Sequence, residues 1–318
     1  MKSPARRSSW LASPPPTVAI EIASHRVTVA ALAGSGASAL ITHQASETLP
    51  EGAVVPAASG VNIPDVGLVA DSLRRAIERA GLGSVRRAAM VVPDSIARVS
   101  LLLLEQVPAR PADLDQLVRW QVSKATPFSI EDTQISHFVA NTDGSITTIA
   151  AVMARRDVIA QYEAVAQAAG IHGGLVDLAS LNVMNGVIGA GGAADGDWLL
   201  VHLASESTTL AILRGDQLMF YRHRAAVDDE PLRALVHQTA MYHEDRLGGS
   251  RFARVWLCGI GSGADDARRQ ISGRLGVPVQ SVDVRPAIGG AERMTASLEA
   301  LDALAAPVGM LIRERTVA

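Results

Sequence analysis

The stretch 18-VAIEIASHRVTVAAL-32 decides how the rest of the chain is read. Two Val- and Ile-rich runs flank a short polar break around Ser24, His25 and Arg26, which predicts a strand, a tight turn and a second strand. The same pattern returns about 180 residues later as 198-WLLVHLASESTTLAIL-213. Laid on one another, Glu21 falls on His202, Ile22 on Leu203, Ala23 on Ala204, Ser24 on Ser205, Thr28 on Thr209 and Ala30 on Ala211. That spacing is too long for a solenoid repeat and predicts two similarly built lobes facing each other. A chance match between two amphipathic hairpins is the competing reading.

At 318 residues and 48% hydrophobic, the chain can bury a large two-lobed core. Aromatic residues are only 3%, so that core must be Ala, Val, Leu and Ile. A net charge of -3 gives no electrostatic footprint for nucleic acid, and no polybasic patch points to an acidic membrane surface. The single cysteine, Cys258 in VWLCG, excludes an intramolecular disulfide, fits a reducing compartment and reads as a small buried hydrophobe. Lys2, Arg6 and Arg7 begin like a signal peptide, but Pro14, Pro15 and Pro16 fall where its apolar region should run. Residues 1–16 are therefore expected to be a disordered tail. The longest uncharged stretches are broken by Gly-rich turns, so none forms the roughly 20-residue apolar helix of a membrane span. The expectation is a soluble, cytoplasmic protein that reaches a membrane only through a partner, with no direct insertion.

Between the hairpins, Asn62 and Pro64 open a helix carrying Val66, Val69, Leu73, Ile77 and Ala80 on one face and closed by Gly81. AAMVVP and RVSLLLLEQVP predict strands, and Pro111 to Thr126 a helix stopped by Pro127. QISHFVA and SITTIAAVM predict a hairpin turned by NTDG. A helix from Arg156 to Ala169 turns Ile159, Tyr162, Val165 and Ala166 inward, Asp177 caps another, and GAGGAADGD is a linker. After the second hairpin, VWLCGIGSGADDARRQISGRLGVPV predicts a strand, a turn at Gly259, Gly261 and Gly263, a helix and a closing strand. Such turns let backbone N–H groups approach phosphate or sugar, although an ordinary tight turn explains this one in isolation. His237, His243, Glu244 and Asp245 do not make a metal site, because a spacing of six separates the histidines around a helix. A solvated helix end explains HEDR, and Tyr221 to Arg224 predicts a polar strand face. No G-x-S-x-G elbow marks a nucleophile.

Hairpin, hairpin and Gly-rich strand-to-helix turn, in that order, resemble the actin-like ATPase superfamily. The motifs between them narrow the resemblance to the PilM family of type IV pilus assembly proteins, relatives of the cell-division protein FtsA. They are VVPDSIARVSLLLLEQVP, LVRWQVSKATPFSIEDTQISHFVA, GLVDLASLNVMNGV, FYRHRA, QTAMYHEDRL, LGVPV and APVGMLIRE, in family order from Thr17 to Arg313. The resemblance implies an α/β, actin-like (ribonuclease H-like) two-lobed fold with an FtsA/PilM-type extra subdomain at about 91–153. The first lobe would span 17–195, the second 196–297, and a C-terminal helix, 298–318, would return to the first lobe. Beside the extra subdomain, the family holds the N-terminal cytoplasmic peptide of a bitopic inner-membrane partner, PilN. That implies a peptide surface on strand edges and the KATPF corner, with Gln121, Lys124, Pro127 and Phe128 as the groove residues. Filling the core is the competing role for Phe128. Other pilus platform proteins are implied as further partners.

The superfamily clasps ATP or ADP with Mg2+ between its lobes. Each hairpin there normally carries an Asp to orient magnesium-bound water and a Gly to admit the phosphates. In this chain the acids have become Glu21 and His202, and the glycines Ala23 and Ala204. The implied nucleotide cleft comprises Glu21, Ala23, Ser24, His25 and Arg26, then His202, Ala204, Ser205, Glu206 and Ser207, then Gly259, Gly261, Ser262 and Gly263. Neutral imidazole is a poor magnesium partner and its cation repels the metal. The substitutions predict loss of hydrolysis, with no catalytic residue and no metal site, and argue against tight nucleotide binding; the three glycines argue the other way. The leading expectation is a non-enzymatic scaffold of a type IV pilus inner-membrane platform. The alternatives are an active actin-like ATPase, which needs an Asp in the cleft, and a cytoplasmic platform subunit of a type II secretion system. An FtsA-type protein would want a C-terminal amphipathic helix, and only ERTVA follows Arg313.

Overall fold

The first sheet is built from β1 (Val18–Ile22), β2 (Arg26–Ala33), β3 (Leu40–Thr48), β4 (Arg87–Val92) and, later in the chain, β8 (His172–Leu178). Helix α1 (Val66–Arg79) lies between β3 and β4. Between β4 and β8 run β5 (Ala97–Leu104), α2 (Pro111–Ser123), β6 (Thr133–Asp143), β7 (Ile146–Arg155) and α3 (Arg156–Ala168). Helix α4 (Ala179–Gly189) leads to the second sheet: β9 (Asp197–Ala204), β10 (Ser207–Arg214), β11 (Gln217–Ala225), α5 (Leu232–Leu247), β12 (Arg254–Cys258), α6 (Ala264–Leu275) and β13 (Val279–Ser281). Helix α7 (Leu298–Thr316) ends the chain. This computed structural model describes residues 16–34, 39–124, 129–193, 196–226, 231–259, 263–289 and 297–316. The tail 1–15, Pro127, Phe128, Gly261 and Ser262 lie outside them.

The repeat read from the two hairpins extends to whole sheets. The strand orders are β3-β2-β1-β4-β8 and β11-β10-β9-β12-β13, with matching parallel and antiparallel neighbours. Register matches too: Glu21 sits opposite Thr28, and His202 opposite Thr209. Even the third strands end alike, Leu49 N donating to His25 O at 2.8 Å and Ala226 N to Glu206 O at 2.7 Å. Two hairpins sharing a pattern by chance would not share sheet order and the flanking hydrogen bond.

Central strands buried on both faces explain the continuous apolar runs of β1, β4 and β9. Along β9, Trp198 and Leu200 face the main core, whereas Leu199 and Val201 pack with Leu235, Val236 and Ile271 from α5 and α6. Helices α4 and α7 meet backbone to backbone: a Cβ on Gly309 would stand 1.8 Å from Asn182 O, so only glycine fits there. Helix α7 also packs on β1, β2 and β4. The third sheet, β5-β7-β6, buries Leu104, Ile149, Ala151 and Met153 against Val118 and Val122 of α2.

Three local expectations are corrected. Asp65, not Asn62, caps α1, its Oδ1 accepting from Leu68 N at 3.0 Å; Asn62 is buried and its Oδ1 accepts from Ala57 N and Tyr162 OH. Asp177 does not cap α4, because its carboxylate pairs with Arg313 of α7. The stretch GAGGAADGD is pinned rather than loose where it is described: Gly192 O accepts from Trp256 Nε1 at 3.2 Å.

Candidate functional site

The two hairpin turns touch. Ala23 N donates to Arg26 O at 2.9 Å, which closes the first turn and carries Ser24 to its tip. Ser24 Oγ and Ser205 Oγ lie 2.7 Å apart, and each is 2.8 Å from Glu206 Oε2. Two hydroxyl protons serve three contacts around one carboxylate that links both turns. Beside them, buried Glu21 faces Arg26 Nη2 at 3.3 Å, and Arg26 Nη1 lies 3.8 Å from Asp302 of α7. Burial pushes the Glu21 carboxyl up, against the opposing pull of Arg26 and His202. His25, at the turn's exposed edge, is pushed down by partial burial and by Arg26, whose Nη1 lies 3.1 Å from its Nε2.

Asp94, separated from β4 by Pro93, is the main bridge between the sheets. It is buried and accepts from Ser180 N (3.0 Å), Ser180 Oγ (2.9 Å), Thr209 Oγ1 (2.9 Å) and His202 Nδ1 (3.2 Å). Burial alone would raise the Asp94 carboxyl, but the His202 hydrogen bond and charge hold it below its ordinary value. Burial likewise disfavours charged His202, and Asp94 outweighs it and raises the imidazole. Each group thus favours the charged form of the other, His202 Nδ1 lying 3.2 Å from Asp94 Oδ2. Tyr221 OH and His223 extend the network through Ser180, Thr209 and Ser95, so the inward side of YRHRA is a polar interior face. Arg222 points the other way, to Gln238 of α5.

Among the described residues the cavity between the turns is about 30 Å³, where ordinary small-ligand pockets exceed about 300 Å³. Gly259 is explained by packing: with φ at +104°, its absent Cβ would stand 1.9 Å from Leu203 O, and its N–H already serves Asp302. Gly263 stands at the N-terminus of α6 with ordinary right-handed backbone, and Ala204 and Ser207 complete the second turn. Among the described residues no group of three or more His, Cys, Asp or Glu could hold a metal ion. The described donors and carboxylates of the cleft are engaged with one another.

A second concavity, about 420 Å³, lies between the first sheet and the small one. Consecutive residues Gly173 to Leu178 border it, so it runs along the open edge of β8, the last strand of its sheet. The small sheet contributes alternate residues, Gln134 and Ser136 of β6 with Val152 and Ala154 of β7, hence one face. Ile159, Arg156 and Glu163 of α3 close one side. Helix α2 packs on the opposite face of that sheet, so Gln121 and Lys124 do not line this groove; Lys124 Nζ sits 3.5 Å above the Trp120 ring.

Sequence reasoning brought the two turns together correctly but missed Asp94, Ser180, Tyr221 and Asp302. An acid closely following a buried apolar strand, in VVPDS, was the available signal for Asp94. The HEDR segment is not wholly solvated: His243 is 2% exposed, with Nε2 2.8 Å from Asp197 and its ring stacked on Phe252. Cys258 is a free, buried thiol, pushed well up by burial. No described helix is long and apolar enough to cross a membrane.

Comparison with known proteins agrees with this geometry. The family model for type IV pilus assembly protein PilM matches residues 19–246. A PilM–PilN type IV pilus biogenesis complex is similar in structure, with a TM-score of 0.78 at 16% identity, covering 94% of this chain and 98% of that one. A Bacteroides thetaiotaomicron protein with an actin-like ATPase fold gives 0.49 at 8% identity, covering 88% and 95%. The cytoplasmic domain of EpsL, from the type II secretion system of Vibrio cholerae, gives 0.47 at 10%, covering 90% and 97%. No curated protein sequence matches the chain. The fold is the actin-like one with an added small sheet, and the chain belongs to the type IV pilus assembly protein PilM family.

Proposed function

We propose that this chain is a non-enzymatic scaffold of a type IV pilus inner-membrane platform. In this reading its β8 groove takes the N-terminal cytoplasmic peptide of a bitopic PilN-like protein, which tethers the chain to the membrane. The groove carries the proposal. It pairs an open strand edge, rich in unpaired backbone groups, with an apolar wall, which is the arrangement that receives an extended peptide as an added strand. Six residues of β8 offer about 20 Å, room for about five or six peptide residues. The similar solved structure is a complex with PilN, which supports a partner of that kind. The cleft between the turns is proposed to have lost ATP hydrolysis and tight nucleotide binding, because its polar groups serve one another.

Calorimetry with a synthetic N-terminal peptide of the PilN-like partner tests this. Binding is expected with the same affinity in the presence and absence of Mg-ATP, weakened at least about 10-fold by Ala154→Arg in the groove wall. Failure of the wild-type chain to bind would sink the scaffold reading. A sub-millimolar, magnesium-dependent ATP affinity would overturn the reading of the cleft.

A further inference from the structure

We infer that the cleft is self-liganded: carboxylates of the chain itself take the donors that this fold offers to a bound anion, and so clasp the lobes shut. Three carboxylates each join elements of opposite sides. Glu206, between β9 and β10, receives Ser24 from the first hairpin and Ser205 from its own. Asp94, after β4, receives Ser180 at the start of α4 and both His202 and Thr209 of the second sheet. Asp302, on the helix packed against the first sheet, takes the Gly259 N–H of the second and faces Arg26 of the first. A clasp needs negative charge between two rings of donors, and here the chain supplies it.

The inference deepens the proposed loss of nucleotide binding and is independent of the peptide groove. It predicts more than packing does, because removing a clasp carboxylate leaves its donors in place. Ser24 and Ser205 would then form a vacant anion site, with Arg26 lining the same cavity.

The test is thermal unfolding of the full chain with inorganic pyrophosphate, against sodium chloride of equal ionic strength. Glu206→Ala should lower Tm by about 2–5 °C, and pyrophosphate should restore at least half of the loss while leaving wild type unmoved. The double variant Ser24→Ala with Ser205→Ala lacks the donors, so it should be destabilised without rescue. Amide exchange in the turns 23–25 and 204–206 should quicken at least about 10-fold in Glu206→Ala and slow again with pyrophosphate. If Glu206→Ala does not fold, Glu206→Gln takes its place; it keeps the volume and one acceptor oxygen, so the loss of Tm should be about half as large, with a correspondingly smaller rescue by pyrophosphate. Destabilisation without rescue by pyrophosphate would reduce Glu206 to ordinary packing and overturn the clasp. So would stabilisation of wild type by pyrophosphate, which would mean that the cleft opens to a ligand. Peptide calorimetry is a separate readout, so either proposal can fail without the other.

Discussion

Replacing Asp94 by Ala removes the carboxylate to which four donors point, of which only Ser180 Oγ and Thr209 Oγ1 keep a neighbour, in Tyr221 and His223. The Asp94 side chain is 2% exposed, so water cannot readily take its place. Breaking a buried ion pair costs about 3–5 kcal/mol, and each neutral donor left buried adds about 1 kcal/mol before relaxation. His202 can discharge and recover part of that loss, so the net expectation is about 3–5 kcal/mol. With about 2.1 cal/mol/K of unfolding entropy per residue over 318 residues, Tm should fall by about 4–8 °C. Asp94→Asn keeps the volume and one acceptor oxygen and should cost roughly half as much. Scanning calorimetry together with urea unfolding followed by tryptophan fluorescence measures both, since Trp198 is fully buried. A loss below about 1 kcal/mol for Asp94→Ala would refute the claim that this carboxylate holds the sheets together.

The same pair sets a pH dependence. His202 is raised from 6.5, so its contribution is complete below that value and is lost as pH rises through the higher folded value. Asp94 is lowered from 3.8, so its contribution is present above that value and is lost as pH falls through the lower folded one. Glu21 and Asp302 reinforce charged His202, while His223, facing the network from β11, is pushed down by burial. The stability gap between wild type and Asp94→Asn should therefore be widest between about pH 4 and 6.5 and narrow as pH rises through the folded His202 value; a gap that widens with alkalinity would contradict the ion pair. Two glycines should respond with opposite signs. Gly309→Ala drives a methyl into Asn182 O and should cost several kcal/mol, whereas Gly273→Ala, with nothing within 4 Å, should stabilise α6 by up to about 1 kcal/mol, both read by urea unfolding.

What was legible in the sequence follows the range of the physics. The hairpins were visible because Val18 to Leu32 and Trp198 to Leu213 write their register locally, and the paired positions Glu21–Thr28 and His202–Thr209 hold in three dimensions. Strand β3 was not visible, because Leu40 to Thr48 has no buried residue and mixes apolar and polar types on both faces. Strand β8 was hidden by Gly173 and Gly174; a Cβ on the first would stand 2.5 Å from Met90 Sδ and oblige that side chain to shift. The groove along β8 was missed with it, and of the expected groove residues the described Gln121 and Lys124 belong to α2, on the opposite face of the small sheet. Asp94 could be noticed but not understood, since its partners lie 86 to 115 residues away. Asp177 was read through its nearest helix, whereas its carboxylate reaches Arg313 at the far end of the chain.

The proposed docking mode has one direct test: amide exchange of the full chain, with and without the partner's N-terminal peptide. The account predicts new protection in β8, residues 173–178, and in the facing strand β6, with the turns 23–25 and 204–206 unchanged and the protection abolished by Ala154→Arg. Protection confined to α2 around Gln121 and Lys124, or to the cleft, would contradict it.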